Sequence, residues 1–268
     1  MAAAPLVLGR LNESIHQVAG AVVEEVLSRL GHDVLVIDGM HEEMYAQLGA
    51  GRIQFFATAW LPHGHGDLWR SVQDRVTEVG MLFDGAQYFW AVPCYVPEAE
   101  VWDLADLADP EVMADMASVT VIGADAASGL NRWSTELMQA YGLLEAGWRL
   151  QPAHVDDIVA NVRRRLAAGD WFVTPTWVPH HLNDVFHLRR LADPLRVFPS
   201  PDRASLLAHR ASLETLPGRT REVLGRIRFD IDDVNAMDSL VNLDGLAPIG
   251  AAREWMAERD SLVRCWLG

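Results

Sequence analysis

Ala57-Thr-Ala-Trp-Leu-Pro-His-Gly-His65 (ATAWLPHGH) ends an apolar run on a tryptophan, turns at a proline and leaves through two histidines. The same order returns over 100 residues later, in Thr174-Pro-Thr-Trp-Val-Pro-His-His-Leu-Asn-Asp-Val-Phe186 (TPTWVPHHLNDVF). Both read as strand ends that turn out of a core. Open α/β sheets bind ligands at the carboxyl ends of their strands. Two similar turns so far apart point to two walls of one site.

Working outward from the first turn, the chain before it alternates strand and helix. Pro5 to Leu11 is short and apolar, like a buried strand. Ser14 to Leu30 has helical spacing, with Ile15, Val18, Val22, Val26 and Leu30 on one face, and Gly31 ends it. Asp33 to Asp38 is a second strand, Glu42 to Ala50 a short helix and Ile53 to Trp60 a third strand. This β-α-β-α-β order is the signature of a mostly parallel sheet covered by helices.

Tyr88 to Val96 is another apolar run, broken by Pro93 and followed by Pro97. The prolines make it a poor central strand and a good crossing segment between lobes. Residues 98 to 195 read as a second β-α-β unit. Its parts are a strand at Val119 to Gly123, helices at Leu130 to Tyr141 and Val155 to Leu166, and a strand at Trp171 to Thr174. From Asp202 the pattern is helical: Ala204 to Ala211, a segment around Val223, Ile231 to Asn242 and Ile249 to Leu267. The expectation is an α/β protein of two lobes. Lobe 1 comprises 1–95 and 198–268, and lobe 2 is an insertion, 96–197. Hinges are expected near 93–97 and 195–200.

Half of the 268 residues are hydrophobic, so the chain is globular. Its net charge of −15 argues against nucleic acid or an anionic membrane as partner. It contains no lysine. Cys94 and Cys265 form no metal spacing; Cys94 follows a proline in an apolar run and reads as core, and pairing is left open. No 18-residue apolar run is present. The start, MAAAPLVLGRLNES, lacks a basic segment followed by an apolar one. A cytoplasmic location is expected if the chain is native as given, and a periplasmic or extracellular, membrane-associated one if a signal segment was removed.

Trp60 and Trp177 are the first candidates for a site. Tryptophan usually packs a core, but these two lie where the chain turns outward. Trp faces attract cations, and quaternary ammonium groups are the usual guests of aromatic boxes. His63, His65, His180 and His181 come next. They lack a carboxylate at helical spacing and any His-Glu-x-x-His, so the spacing argues against metal. Donation to an anionic ligand group is the better reading. A metal hydrolase built on these four is kept as an alternative. The turn Gly123 to Gly129 opens a helix, whose N-terminal N–H groups suit a carboxylate or phosphate. No Gly-x-Ser-x-Gly elbow or dinucleotide fingerprint is present, and no cofactor is implied.

These motifs together resemble the glycine betaine and choline substrate-binding proteins of osmoprotectant ABC importers, the OpuAC/ProX-like group. The resemblance runs through AWLPHGH (Ala59 to His65), AVPCYV (Ala91 to Val96) and VIGADAASG (Val121 to Gly129). It continues through TWVPHH, LRRLADP (Leu188 to Pro194), DDVNAMDSLV (Asp232 to Val241) and the segment from Ala251 to Leu267. It implies a two-lobed periplasmic-binding-protein-like fold of type II, with the ligand cleft between the lobes, and a non-enzymatic role in import. Trp60 and Trp177 match cage tryptophans. Gly129 and Leu130 match the N–H groups that hold the ligand carboxylate, and His65 matches the assisting histidine. Three positions depart. Leu11 stands about where a third cage Trp falls, with Glu13 close by; His181 replaces a Trp; and Tyr88-Phe-Trp90 puts aromatics where the family has smaller residues. Trp90 or Trp133 would then supply the missing wall, or the ligand differs: a bulkier betaine, a sulfonium zwitterion, choline or carnitine. A small zwitterionic or cationic ligand and an ABC permease subunit are the implied partners, and a monomer is expected. A cytosolic sensor of the same fold is the other alternative.

Overall fold

The computed structural model describes residues 4–126 and 128–268, apart from the Asp184 side chain; Ala127, within the Gly123–Gly129 turn, lies outside the described residues. In chain order the elements begin β1 (Leu6–Leu11), α1 (Ser14–Arg29), β2 (Val34–Gly39), α2 (His41–Gly49), β3 (Phe55–Leu61), α3 (Gly66–Val72) and β4 (Val76–Pro93). There follow α4 (Pro110–Asp115), β5 (Thr120–Ile122), α5 (Gly129–Ala140), α6 (Leu143–Ala146), β6 (Arg149–Gln151), α7 (Val155–Ala168), β7 (Thr174–Val178), α8 (Leu182–Val185) and β8 (Leu188–Arg190). The chain ends with β9 (Asp202–His209), α9 (Arg210–Glu214), α10 (Gly218–Arg226), α11 (Ile231–Asn242), α12 (Pro248–Glu258) and α13 (Asp260–Leu267).

These elements form two compact units. The first holds the chain up to Ala86, Pro179–His181 and Asp202–Gly268; the second holds Gln87–Val178 and Leu182–Pro201. The divisions at 86/87 and 201/202 compare with expected hinges near 93–97 and 195–200. The earlier division follows from β4, which runs unbroken to Pro93. Pro93 is its last residue, facing Leu188 of β8.

In the first unit β1 lies between β2 and β3, parallel to both. β9 pairs antiparallel with β3, and the first part of β4 pairs antiparallel with β9. β3 reads FFATAWL and is buried at every position, as expected of a strand covered on both faces. α1 packs against α11 and α12. Met44, Tyr45 and Leu48 of α2 form a core with Leu11, Phe56, Ala59 and Leu207. Leu11, the position where a cage wall was sought, is therefore inside this core at 1% exposure.

The sheet is mixed because of β9, and this corrects the helix expected at Ala204 to Ala211. Ser205, Leu206, Leu207 and Ala208 are all wholly enclosed. A run buried on both faces has no alternation to betray it, and its strand partners override the helical preference of Ala and Leu. Similarly, of the apolar run Tyr88 to Val96, the part to Pro93 proves to be the end of a long strand that starts at Val76. The last expected helix is two, α12 and α13, separated at Arg259.

In the second unit the later part of β4 pairs antiparallel with β7 and β8. β5 and β6 form a separate parallel pair. Trp171, expected to begin a strand, makes only an isolated bridge to Met116, and β7 begins at Thr174. Cys94, read as core, is exposed just past the end of β4, and neither it nor Cys265 is in a disulfide. No helix among the described residues is long and apolar enough to cross a membrane.

Candidate functional site

In the first unit the site grows from the end of β3. Thr58 has φ 64°, and the pairing with β9 slips between Phe56 and Ala59. This bulge re-aims the strand and turns the Thr58 hydroxyl to His16 Nδ1, at 2.6 Å. Beyond Trp60 the Leu61–Pro62 bond is cis. The turn that follows is held by one carboxylate: Asp202 Oδ1 accepts from His63 N–H and Oδ2 from Gly64 N–H, each at 2.7 Å. Burial raises the Asp202 carboxyl, opposed by those two N–H groups.

His65 closes the turn. Its N–H donates to Trp60 O at 2.8 Å, and its Nδ1 accepts from Trp60 N–H at 3.2 Å. The accepting Nδ1 places the proton of the neutral ring on Nε2. Trp60 and His65 rings stack at 15°, and His41 meets His65 edge-on at 5.0 Å. His16 lies 5.7 Å from the Trp60 ring. Trp60, His65, His16 and His41 are all buried.

Glu13 precedes α1 as its N-cap residue and reaches His16 Nε2 at 3.1 Å. Burial pushes its carboxyl up, but the His16 hydrogen bond and the fields of His16, His41 and His180 outweigh that and hold it below the ordinary value. Glu13 is thus an anion among imidazoles.

His180 and His181 enter the first unit through the short excursion Pro179–His181. Their rings stack with centroids 4.7 Å apart. Asp238 of α11, wholly buried, accepts from His181 N–H at 2.8 Å and from its ring Nδ1 at 2.9 Å. Its other oxygen takes Ser14 and Asn242. Burial raises the Asp238 carboxyl, but hydrogen bonds from His181 and Ser14 bring it below its usual value. Burial lowers His180 to about 4, despite the opposing fields of Asp238 and Glu13.

In the second unit Trp177 lies on β7 opposite Tyr88 and is 6% exposed. Its carbonyl accepts from Asn183 Nδ2 at 2.7 Å, which ties β7 to α8. Gly129 and Leu130 open α5, and Ser128 caps it, its hydroxyl accepting from Asn131 N–H at 3.1 Å. A Cβ at Gly123 would fall 2.7 Å from Asn131 Oδ1 and 2.8 Å from Leu150 Cδ1, so a larger residue there requires those side chains to move. Trp90 is wholly enclosed and donates from Nε1 to Ser134 of α5 at 2.9 Å. Trp133 is half-buried with Arg132 over its ring at 5.1 Å, and its Nε1 is enclosed without a hydrogen-bond partner among the described residues.

The structure therefore gathers Glu13, Trp60, His65 and His181 in the first unit and Trp90, Gly129, Leu130, Trp133 and Trp177 in the second. Sequence reading did not single out His16, Thr58, Asp202, Asp238 or Ser134. The segment DDVNAMDSLV contains Asp238, but nothing in it marks which of its aspartates is buried.

The sequence pattern of the family described as the substrate binding domain of ABC-type glycine betaine transport systems (OpuAC) matches residues 4–258. A relative named glycine betaine/carnitine transport binding protein GbuC, from Listeria monocytogenes serotype 1/2a (strain 10403S), is 23% identical over 154 residues. That match covers 58% of this chain and 51% of the relative, so the chain spans about half the length of the curated relative it matches. Lactococcal OpuAC, closed and complexed with glycine betaine, superposes with a TM-score of 0.88 at 21% identity, covering 99% of this chain and 100% of that one. An ABC-transporter choline binding protein in complex with choline gives 0.84 at 20% identity, covering 98% and 91%. These likenesses establish the two-lobed periplasmic-binding-protein fold. By the family match over residues 4–258, the chain belongs to the substrate-binding domains of ABC-type glycine betaine transport systems.

Proposed function

We propose that this chain is a solute-binding protein that captures a small quaternary-ammonium ligand or related zwitterion for an ABC permease. The observation that carries the reading is Trp60. It stands one residue before the end of a fully buried strand and stacks on a histidine of fixed tautomer. That end of the strand is followed by a turn clamped at Asp202, so its geometry is set before a ligand arrives. A preformed aromatic and donor set loses little on binding.

In this reading Trp60 and Trp177 take the cation through their faces. Gly129 and Leu130 offer N–H groups at the start of α5 to a carboxylate, and His65 donates from Nε2. Glu13 biases the first unit toward a cationic group. His181 and Trp133 complete the lining, and Trp90 acts through Ser134 by fixing α5. The protein works as a monomer without a cofactor, outside the membrane whose permease it serves, and does no chemistry on its ligand. Related proteins have been solved with glycine betaine and with choline, so both head the list of trial ligands. Isothermal titration of the purified chain with glycine betaine, choline, carnitine, proline betaine and dimethylsulfoniopropionate tests the reading. One of them binds with a stoichiometry of about one; heat from none of them removes the proposed ligand class.

A further inference from the structure

We propose that His180, His181 and Asp238 form a binding site for a borderline divalent transition-metal cation of the zinc, cobalt or nickel type. The proposal shares His181 with the betaine reading but needs no organic ligand, and all three residues belong to the first unit. Each offers one donor atom, and these atoms lie within 4.8 Å of one another. All three residues are buried.

Two features mark the group as more than a hydrogen-bonded cluster. Side chains of successive residues in extended chain point to opposite faces. His180 and His181 instead stack at an interplanar angle of 25° beside one carboxylate. That stack brings two imidazoles and a carboxylate to the same place, a set that suits a borderline cation better than magnesium or calcium. The second feature is the charge balance. Asp238 is wholly buried, and Glu13 lies within electrostatic reach of His180 with its side chain 27% exposed. The chain has no lysine, and among the described residues no arginine is bonded to Asp238. Two carboxylates against a dication leave the group neutral.

The distances fit. His181 Nδ1 and Asp238 Oδ2 are 2.9 Å apart. Two donors about 2.0–2.1 Å from one ion stand about 3.3 Å apart at tetrahedral angles, so this pair opens by only a few tenths of an ångström to take it. Asp238 Oδ1 stays with Ser14 and Asn242, which orients the carboxylate as outer partners orient metal ligands elsewhere. Binding replaces the His181 Nδ1 proton with the metal, and that proton leaves to solvent. Three protein ligands leave a coordination position open.

The experiment uses tag-free protein stripped with a chelator, titrated with Co²⁺ by visible absorption and with Zn²⁺ by calorimetry. One equivalent of Co²⁺ is expected to give a d–d band, and Zn²⁺ to displace it. Asp238→Asn and His180→Gln are each expected to weaken binding about tenfold or more, with circular dichroism melts confirming that both fold. His180 makes none of the Asp238 hydrogen bonds, so His180→Gln keeps the test informative where Asp238→Asn fails to fold. Absence of a stoichiometric band overturns the proposal. So does binding that survives His180→Gln, or binding lost on His65→Gln alone, which moves the metal to other histidines. The titration contains no betaine, so either result leaves the ligand reading to its own test.

Discussion

Asp238 takes both the main-chain N–H and the ring Nδ1 of His181, at 2.8 and 2.9 Å. The chain leaves the second unit at Val178, spends Pro179–His181 in the first and returns at Leu182. Asp238 is the clamp on that excursion. Asp238→Ala leaves two donors of His181 unpaired in a buried place, while Ser14 keeps Asn242. Each buried donor left without its acceptor costs about 1–3 kcal/mol. Urea unfolding is expected to show a loss of at least about 2 kcal/mol; a loss near that of an ordinary surface change contradicts the clamp.

Acid stability follows from His180. Its pKa is lowered by burial to about 4, from an ordinary 6.5. Between those values the unfolded chain binds a proton that the folded chain refuses, so stability falls as pH drops from about 6.5 toward 4. The carboxyls of Glu13 and Asp238 are also held low, and they remove further stability as pH falls through their ordinary values, 4.5 and 3.8, so Glu13 adds to the lower part of the decline. His180→Gln is expected to flatten the upper part of this decline. Urea midpoints at pH 7 and 4.5 for both proteins measure it, and equal declines contradict the assignment.

Asp202 holds the turn between Trp60 and His65 by two N–H groups. Asp202→Ala orphans both; the buried Gly64 N–H costs about 1–3 kcal/mol and the half-buried His63 N–H less. Ligand affinity is expected to fall with stability, because Trp60 and His65 lose their frame. Calorimetry and thermal melts on one preparation check both; wild-type affinity in a destabilised variant separates the turn from the site.

Ser134→Ala leaves Trp90 Nε1 without its acceptor in a core position. The expected cost is about 1–3 kcal/mol, read by chemical unfolding. If Trp90 works by fixing α5, the variant also binds ligand more weakly.

The parts of the fold legible from sequence are those where burial leaves a period. α1 shows one apolar face, and β1, β2 and β3 are short apolar runs between turn residues; all four lie close to their expected spans. β9 was not legible, because a strand enclosed on both faces looks like any apolar run. The first half of β4, VTEVGMLFDG, is half-exposed and interrupted by Gly80 and Gly85, so it lacks both alternation and hydrophobicity. Trp60 and Trp177 stood out because a proline follows each within two residues. Asp202 and Asp238 did not, since their partners lie 138 and 57 residues away. A carboxylate is marked as structural only by what folding brings to it.

The central claim is that Trp60 and Trp177 hold the cation of a small ligand. Thermal melts of the wild type, Trp60→Ala and Trp177→Ala, each with and without the ligand found by titration, test it most directly. A ligand at about 100 times its dissociation constant stabilises the wild type by about 2.7 kcal/mol. The account predicts that shift in the wild type and its loss in both variants, each of which still folds. A shift of equal size in both variants contradicts it.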